Sequence, residues 1–83
     1  MYIVYILQSQ KDSGFYIGCT TNLPQRLQQH NSGKTLSLKN RRPLHIVYEE
    51  KFSDSKLAYQ REKQIKSYKG GIAFRNLLNG GVG

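Results

Sequence analysis

The sequence is poor in cysteine and in acidic residues, and it contains no tryptophan. The single cysteine, Cys19, excludes an internal disulfide, and no group of cysteines and histidines has the spacing of a zinc site. The apolar run near the start is too short to span a membrane and lacks the basic residues that open a signal peptide. We therefore expect a cytoplasmic protein without a membrane partner.

The length of the chain, 83 residues, favours one domain with one modest core. A domain of this size buries only about 60% of the surface that its unfolded chain exposes. We expect the domain to cover residues 1–79. The glycine-rich end, residues 80–83, is typical of a flexible tail.

The charge of the chain is strongly one-sided. Lys and Arg total 13 against 5 for Asp and Glu, which gives a net charge of +8, and eleven of the basic residues lie between Lys34 and Arg75. Such a basic region indicates a polyanionic partner, most often nucleic acid. The alternative is charge that serves only solubility.

Three segments are predicted to be β-strands. "YIVYIL" is apolar on both faces, as a central strand is, and "FYIG" follows it after the turn cluster "QSQKDSG". "LHIVYEEKF" alternates well enough to be the third strand.

Three helices complete the element order. Thr21 or Asn22 caps the first, which ends near Asn31, and Ser53 or Asp54 caps the second, which runs roughly over residues 56–68. "IAFRNLL" is the third helix. The fold class is therefore α+β, a small antiparallel sheet flanked by helices in the order β-β-α-β-α-α.

The first helix carries two candidate site residues on one face, because Arg26 and His30 are four residues apart. His30 also lies at the edge of the apolar stripe formed by Leu23 and Leu27. The alternative is that Arg26 is a surface cation and His30 a packing residue.

Glu62 is the unexpected residue of the second helix. It points to the same side as the apolar residues of that helix, which are Leu57, Ala58, Ile65 and Tyr68. A carboxylate on an inward face is costly unless it meets a cation. A salt bridge to a neighbouring Lys or Arg and a Mg²⁺ ion both satisfy that need.

Tyr5 and Tyr16 lie on the two strands of the predicted hairpin, so their hydroxyls can share one face of the sheet. In a small core the alternative for both is amphipathic packing.

Four segments together resemble the GIY-YIG nuclease superfamily, and most closely its small single-domain, YhbQ-like members. They are "VYIL", "FYIGCT", "NLPQRLQQHNSG" and "AYQREKQIKSY", and the resemblance spans about Tyr2 to Leu78. The first motif reads "IVY" in place of "GIY", which keeps the tyrosine and loses the glycine.

The resemblance implies a fold, a three-stranded antiparallel sheet flanked by helices, and a set of site residues. The residues that match the family's catalytic positions are Tyr5, Tyr16, Arg26, His30 and Glu62. A late asparagine of the family matches Asn76 or Asn79 without a clear alignment, so that role stays open.

The resemblance also implies an activity, the hydrolysis of DNA phosphodiester bonds by an endonuclease that depends on Mg²⁺ or Mn²⁺. Glu62 would hold the metal ion and Arg26 would contact the phosphate. Tyr5 is the first choice for the general base, with Tyr16 orienting water or phosphate and His30 relaying the proton. Family analogy places such an enzyme in DNA repair or processing.

The basic residues of the middle region would bind the DNA backbone without reading its sequence. They are Lys34, Lys39, Arg41, Arg42, Lys63, Lys66 and Lys69. Selectivity would then come from DNA structure or from a protein partner. Two other functions compete, a non-catalytic nucleic-acid-binding module of the same fold and a small basic protein that binds an acidic partner.

Overall fold

The structure, a computed structural model, describes residues 1–32 and 42–80. Its elements are β1 (Tyr2–Ser9), β2 (Phe15–Thr20), α1 (Leu23–Asn31), β3 (Leu44–Phe52), α2 (Ser55–Ser67) and α3 (Ile72–Gly80). The predicted α+β class and element order are confirmed. None of the helices in the described ranges has the length and apolar character needed to cross a membrane.

The sheet has the strand order β2-β1-β3, and both of its pairings are antiparallel. β1 is therefore the central strand, as its apolar residues on both faces predicted. The register places Tyr5 opposite Gly18 on β2 and opposite Glu49 on β3. The pairing with β3 shifts by a bulge between Ile6 and Leu7.

The two faces of β1 pack against different helices, because successive side chains of a strand point to opposite sides. Val4 and Ile6 lie in a buried cluster with residues of α2 and α3, namely Ala58, Ile65 and Phe74. Tyr5 and Leu7 lie in a second cluster, with Leu23 of α1 and Leu44 of β3. The central strand thus separates two small cores, and one candidate tyrosine belongs to the second.

Side-chain caps fix where the first two long helices begin. The Asn22 carboxamide oxygen accepts from the Gln25 amide at 3.2 Å, and the Asp54 carboxylate accepts from the Lys56 amide at 2.8 Å. Of the alternatives left open by the sequence, the caps are therefore Asn22 and Asp54. α3 includes residue 80, and residues 81–83 lie outside the described part of the chain, so the predicted tail stays a prediction.

The buried side of α2 differs in one residue from the prediction. Ala58 and Ile65 are fully buried as expected, whereas Leu57 is 52% exposed. Arg61 lies half-buried instead, and its Nε is 3.3 Å from a carboxylate oxygen of Glu50 on β3. The ion pair holds this side of α2 on the sheet.

Asn31 joins the end of α1 to the start of β3. Its side-chain amide donates to the Leu44 carbonyl at 3.0 Å, and its side-chain oxygen accepts from the Leu44 amide at 2.7 Å. Its own carbonyl accepts from the Arg42 guanidinium at 3.3 Å. We refer to these three bonds as the Asn31 clasp, because they bring together the chain on both sides of residues 33–41.

Candidate active site

Two tyrosines and a histidine meet on the face of the sheet that α1 covers. The ring centroids of Tyr5 and Tyr16 are 6.4 Å apart, and those of Tyr5 and His30 are 6.2 Å apart. Tyr16 and His30 meet edge to face with their centroids at 5.1 Å. The structure therefore brings together three of the five residues that the sequence singled out.

Tyr5 and His30 are hydrogen-bonded, with the hydroxyl oxygen 3.1 Å from Nε2. Each residue is only 1% exposed, so His30 is more deeply buried than an edge residue. Burial, reinforced by the positive charge of Arg26, lowers the pKa of His30, and the imidazole is therefore neutral near pH 7. In the tautomer that carries its proton on Nδ1, the Tyr5 hydroxyl donates to Nε2.

The environment of Tyr5 keeps its hydroxyl protonated. Burial raises the pKa of this phenol well above its ordinary value, and the neighbouring Tyr16 and Glu62 raise it further, while Arg26 lowers it. A free Tyr5 phenolate is therefore disfavoured at neutral pH. The charges of both Arg26 and Glu62 therefore act on the pKa of Tyr5.

Gly18 leaves the space that the Tyr5 ring occupies. A β-carbon added at Gly18 would lie 2.5 Å from the Tyr5 hydroxyl oxygen and 2.6 Å from its ring carbon Cζ, far inside van der Waals contact. The glycine of "YIG" is thus needed because the tyrosine of the neighbouring strand lies across it. The sequence alone does not show why position 18 must be glycine, because the reason depends on the strand register that pairs it with Tyr5.

We expect Gly18→Ala to destabilise the protein by about 1–3 kcal/mol, because it forces Tyr5 away from His30 in a packed core. Chemical denaturation measures this loss. In a Tyr5→Leu background the same substitution should cost much less, since the clashing atoms are gone. An equal penalty in both backgrounds would contradict the steric explanation.

Arg26 lies on α1, on the same side of the sheet as the cluster, and Glu62 lies on α2, which packs on the other face of β1. Arg26 is exposed, whereas the Glu62 side chain is 18% exposed and its Oε2 lies 2.9 Å from Lys66 Nζ. The salt bridge that the sequence offered as one alternative is therefore present. The lysine side chain is 55% exposed, whereas the glutamate side chain is mostly buried.

Cys19 is a residue near the site that sequence reasoning used only as evidence on disulfides. It lies on β2 beside the α2 core, half-buried, and burial and Glu62 raise the pKa of its thiol while Arg26 lowers it. The position of Cys19 could not be predicted without the strand register, which pairs it with Val4 on the face that α2 covers.

The side chains around Glu62 determine whether a divalent metal ion could bind there. Within residues 1–32 and 42–80, no group of three or more His, Cys, Asp or Glu side chains could hold a metal. Mg²⁺ needs no such group, because it binds one or two carboxylates, keeps several waters and takes further oxygens from substrate phosphates. A half-buried carboxylate whose present partner is an exposed lysine fits that requirement.

The predicted DNA-contacting residues lie in different surroundings, and their role stays a prediction. Lys63 and Lys69 are exposed, while Lys66 is paired with Glu62. Arg42 is half-buried and donates to the Asn31 carbonyl, so part of its role is structural. Lys34, Lys39 and Arg41 lie outside the described residues.

The lowered pKa of His30 predicts how stability depends on pH. Because its pKa is lower in the folded state than in the unfolded chain, the unfolded state binds more protons below about pH 6.5. Stability should therefore be full above that pH and fall as the pH drops, by at most about 1.4 kcal/mol per pH unit from this group.

Denaturation between pH 5 and 8 measures this dependence. His30→Gln, which leaves Tyr5, Tyr16 and Arg26 in place, should remove the His30 part of the slope, and His45→Gln serves as the control that keeps it. An unchanged slope in His30→Gln would show that other groups cause the dependence.

Comparison with known proteins identifies relatives over most of the chain. The model of the GIY-YIG catalytic domain matches residues 1–71, which include all five candidate residues. A UPF0213 protein of Staphylococcus haemolyticus is 44% identical over 78% of this chain and 79% of its own. UPF0213 proteins of Syntrophus aciditrophicus (43% identity, 76% and 74%) and Natronomonas pharaonis (38%, 77% and 75%) are also similar. No solved structure gives a significant match.

Proposed function

The chain belongs to the GIY-YIG family, and from that premise we propose that it is an endonuclease that hydrolyses DNA phosphodiester bonds with the help of Mg²⁺ or Mn²⁺. One observation carries the proposal: Tyr5, Tyr16 and His30 form a contacting cluster on which the charges of both Arg26 and Glu62 act. Pure binding of nucleic acid does not require this set.

Glu62 would hold the metal ion, and Lys66 would release the carboxylate to it. A bound divalent ion supplies Lewis-acid stabilisation of the phosphoryl oxygens and of the leaving 3′-oxygen. The remaining steps belong to the side chains of the chain itself. Arg26, exposed on α1, would bind the scissile phosphate with its planar fork of donors and offset the charge that develops there.

The attacking water would give up its proton as its oxygen bonds to phosphorus and the bond to the 3′-oxygen breaks. Tyr16 is half-buried whereas Tyr5 is enclosed, so we place Tyr16 next to this water. Tyr5 and the neutral His30 lie behind it, and Nε2 can take up a proton that Tyr5 passes on. The choice of Tyr5 itself as base requires that relay, because burial opposes its free phenolate.

The exposed lysines after Glu62 would bind the DNA backbone, which gives salt-sensitive binding with little sequence preference. We further propose that DNA structure or a protein partner provides selectivity, and that the enzyme acts in the cytoplasm in DNA repair or processing.

A cleavage assay on supercoiled plasmid and on branched DNAs tests the proposal. The protein should nick DNA in Mg²⁺ or Mn²⁺ and stop when chelator removes the metal. DNA binding without cleavage under either metal would overturn the catalytic proposal.

That outcome would favour the second candidate function, a nucleic-acid-binding module of the same fold. The observation on its side is the Lys66–Glu62 ion pair, which already satisfies the carboxylate without a metal. Metal titration followed by NMR separates the two, since the enzyme should show metal-induced shifts at Glu62 and the module should show none.

A further inference from the structure

An exposed tyrosine lies on α2 one turn before Glu62. Tyr59 is 60% exposed, the largest value for any aromatic side chain in the described residues. The other exposed aromatic residue among them, Phe15, is covered on one side by Phe74 in an edge-to-face contact at 4.9 Å. Most of the Tyr59 side chain is therefore in contact with solvent, and packing within the domain does not explain a tyrosine at this position.

The neighbours of Tyr59 on α2 are charged. Tyr59, Glu62, Lys63 and Lys66 are spaced as i, i+3, i+4 and i+7, so they follow one side of the helix. Two of these side chains, Lys66 and Glu62, are in contact at 2.9 Å along this side of the helix. By this spacing Tyr59 lies on the same side of α2 as Glu62, the carboxylate of the candidate site, and as Lys63 and Lys66.

Lysines beside an exposed aromatic ring are the features with which proteins bind single-stranded nucleic acids. Lysines neutralise the phosphates, while an aromatic ring stacks on an exposed base, and stacking is available only where the base has left its pair. In a duplex the bases present their edges rather than their faces, so an exposed ring gains little from it. Tyr59 lies about 4.5 Å along the helix axis from Glu62, within reach of a nucleotide at the site.

We propose that Tyr59 is a stacking platform for an unpaired nucleobase, so that the substrate carries a single-stranded segment beside the bond that is cut. The last clause rests on the proposed function, whereas base stacking does not. The surface consists of Tyr59, Lys63 and Lys66, and its ligand is single-stranded DNA held by its phosphates and by one base.

Binding measured in chelator tests the stacking independently of cleavage. Fluorescence anisotropy gives the affinity for a labelled oligothymidine and for a blunt DNA duplex of equal length, at fixed low salt. Tyr59→Ala should weaken single-strand binding by about 5- to 140-fold, which corresponds to roughly 1–3 kcal/mol per stacked base, and should leave duplex binding within about twofold.

Two further variants sharpen the test. Tyr59→Phe keeps the ring and should bind like the unsubstituted protein. Leu57→Ala is the matched control, because Leu57 is similarly exposed on α2 but two residues away, on nearly the opposite side. It should change neither affinity. The salt dependence of Tyr59→Ala should stay unchanged, since no charge is removed.

Several results would overturn the inference. They are an equal loss for duplex and single strand, no loss at all, a loss in Tyr59→Phe as large as in Tyr59→Ala, or no binding of either DNA by the unsubstituted protein. An oligouridine strand distinguishes the two sources of an unpaired base, and tighter binding of RNA than of DNA would overturn the assignment to DNA. If the stacking result holds and no DNA is cut, the proposed hydrolysis fails and the binding surface stands.

Discussion

Glu62→Gln is expected to reduce metal-dependent cleavage by more than about 100-fold while DNA binding is kept. Replacing a residue that only supports a metal ligand already costs about 10- to 100-fold, and Glu62 is the ligand itself. Glutamine has the same shape, so the helix should fold as before. Removing one negative charge should leave DNA affinity equal or slightly higher, because Lys66 then lacks its partner.

The measurements are initial nicking rates in Mg²⁺ and Mn²⁺ beside anisotropy in chelator. Glu49→Gln is the matched control, since Glu49 is an exposed acid on β3 opposite Tyr5 in the register. It should cleave at the unsubstituted rate. If Glu62→Gln kept full activity, Glu62 would not be the metal ligand. If the variant lost DNA binding, Glu62 would have a structural role instead.

Arg26→Ala is expected to lower the cleavage rate by about 100- to 1,000-fold, the usual cost of losing one group that stabilises transition-state charge. Arg26→Lys should recover only part of this loss, because an ammonium keeps the charge but not the planar pair of donors. The side chain is exposed on α1, so the thermal stability of both variants should stay close to that of the unsubstituted protein.

Single-turnover rates at saturating enzyme separate this chemical effect from weaker binding. Arg75→Ala removes an arginine that is also exposed, from α3, and should change the rate by no more than a few-fold. If Arg26→Ala and Arg75→Ala lose the same small factor, Arg26 contributes only to the general positive charge of the protein.

Most of the fold followed from local patterns in the sequence. β3 has the limits of "LHIVYEEKF", and β1 is central because its apolar residues occupy both faces. Cap residues placed the starts of α1 and α2 within one residue. Leu57 was assigned to the buried side of α2 because helical spacing alone cannot tell which flank of an apolar stripe meets the sheet, and Arg61 takes that flank through Glu50.

The candidate site was predicted as a set of residues but not as a geometry. Helical spacing placed Arg26 and His30 together, yet the depth of His30 depends on the second core, which forms from residues distant in sequence. The need for glycine at position 18 depends on its pairing with Tyr5, and register cannot be read from a strand by itself. The roles of the five residues stay predictions.

The Asn31 clasp makes the position of the candidate site independent of the length of the segment that follows α1. Because Asn31 binds Leu44 directly, two hydrogen bonds join the end of α1 to the start of β3. In general, the entropic cost of closing a connecting segment grows slowly with its length, by about 0.6 kcal/mol for each doubling. We therefore expect that replacing residues 33–41 by a segment of different length or charge leaves His30 hydrogen-bonded to Tyr5.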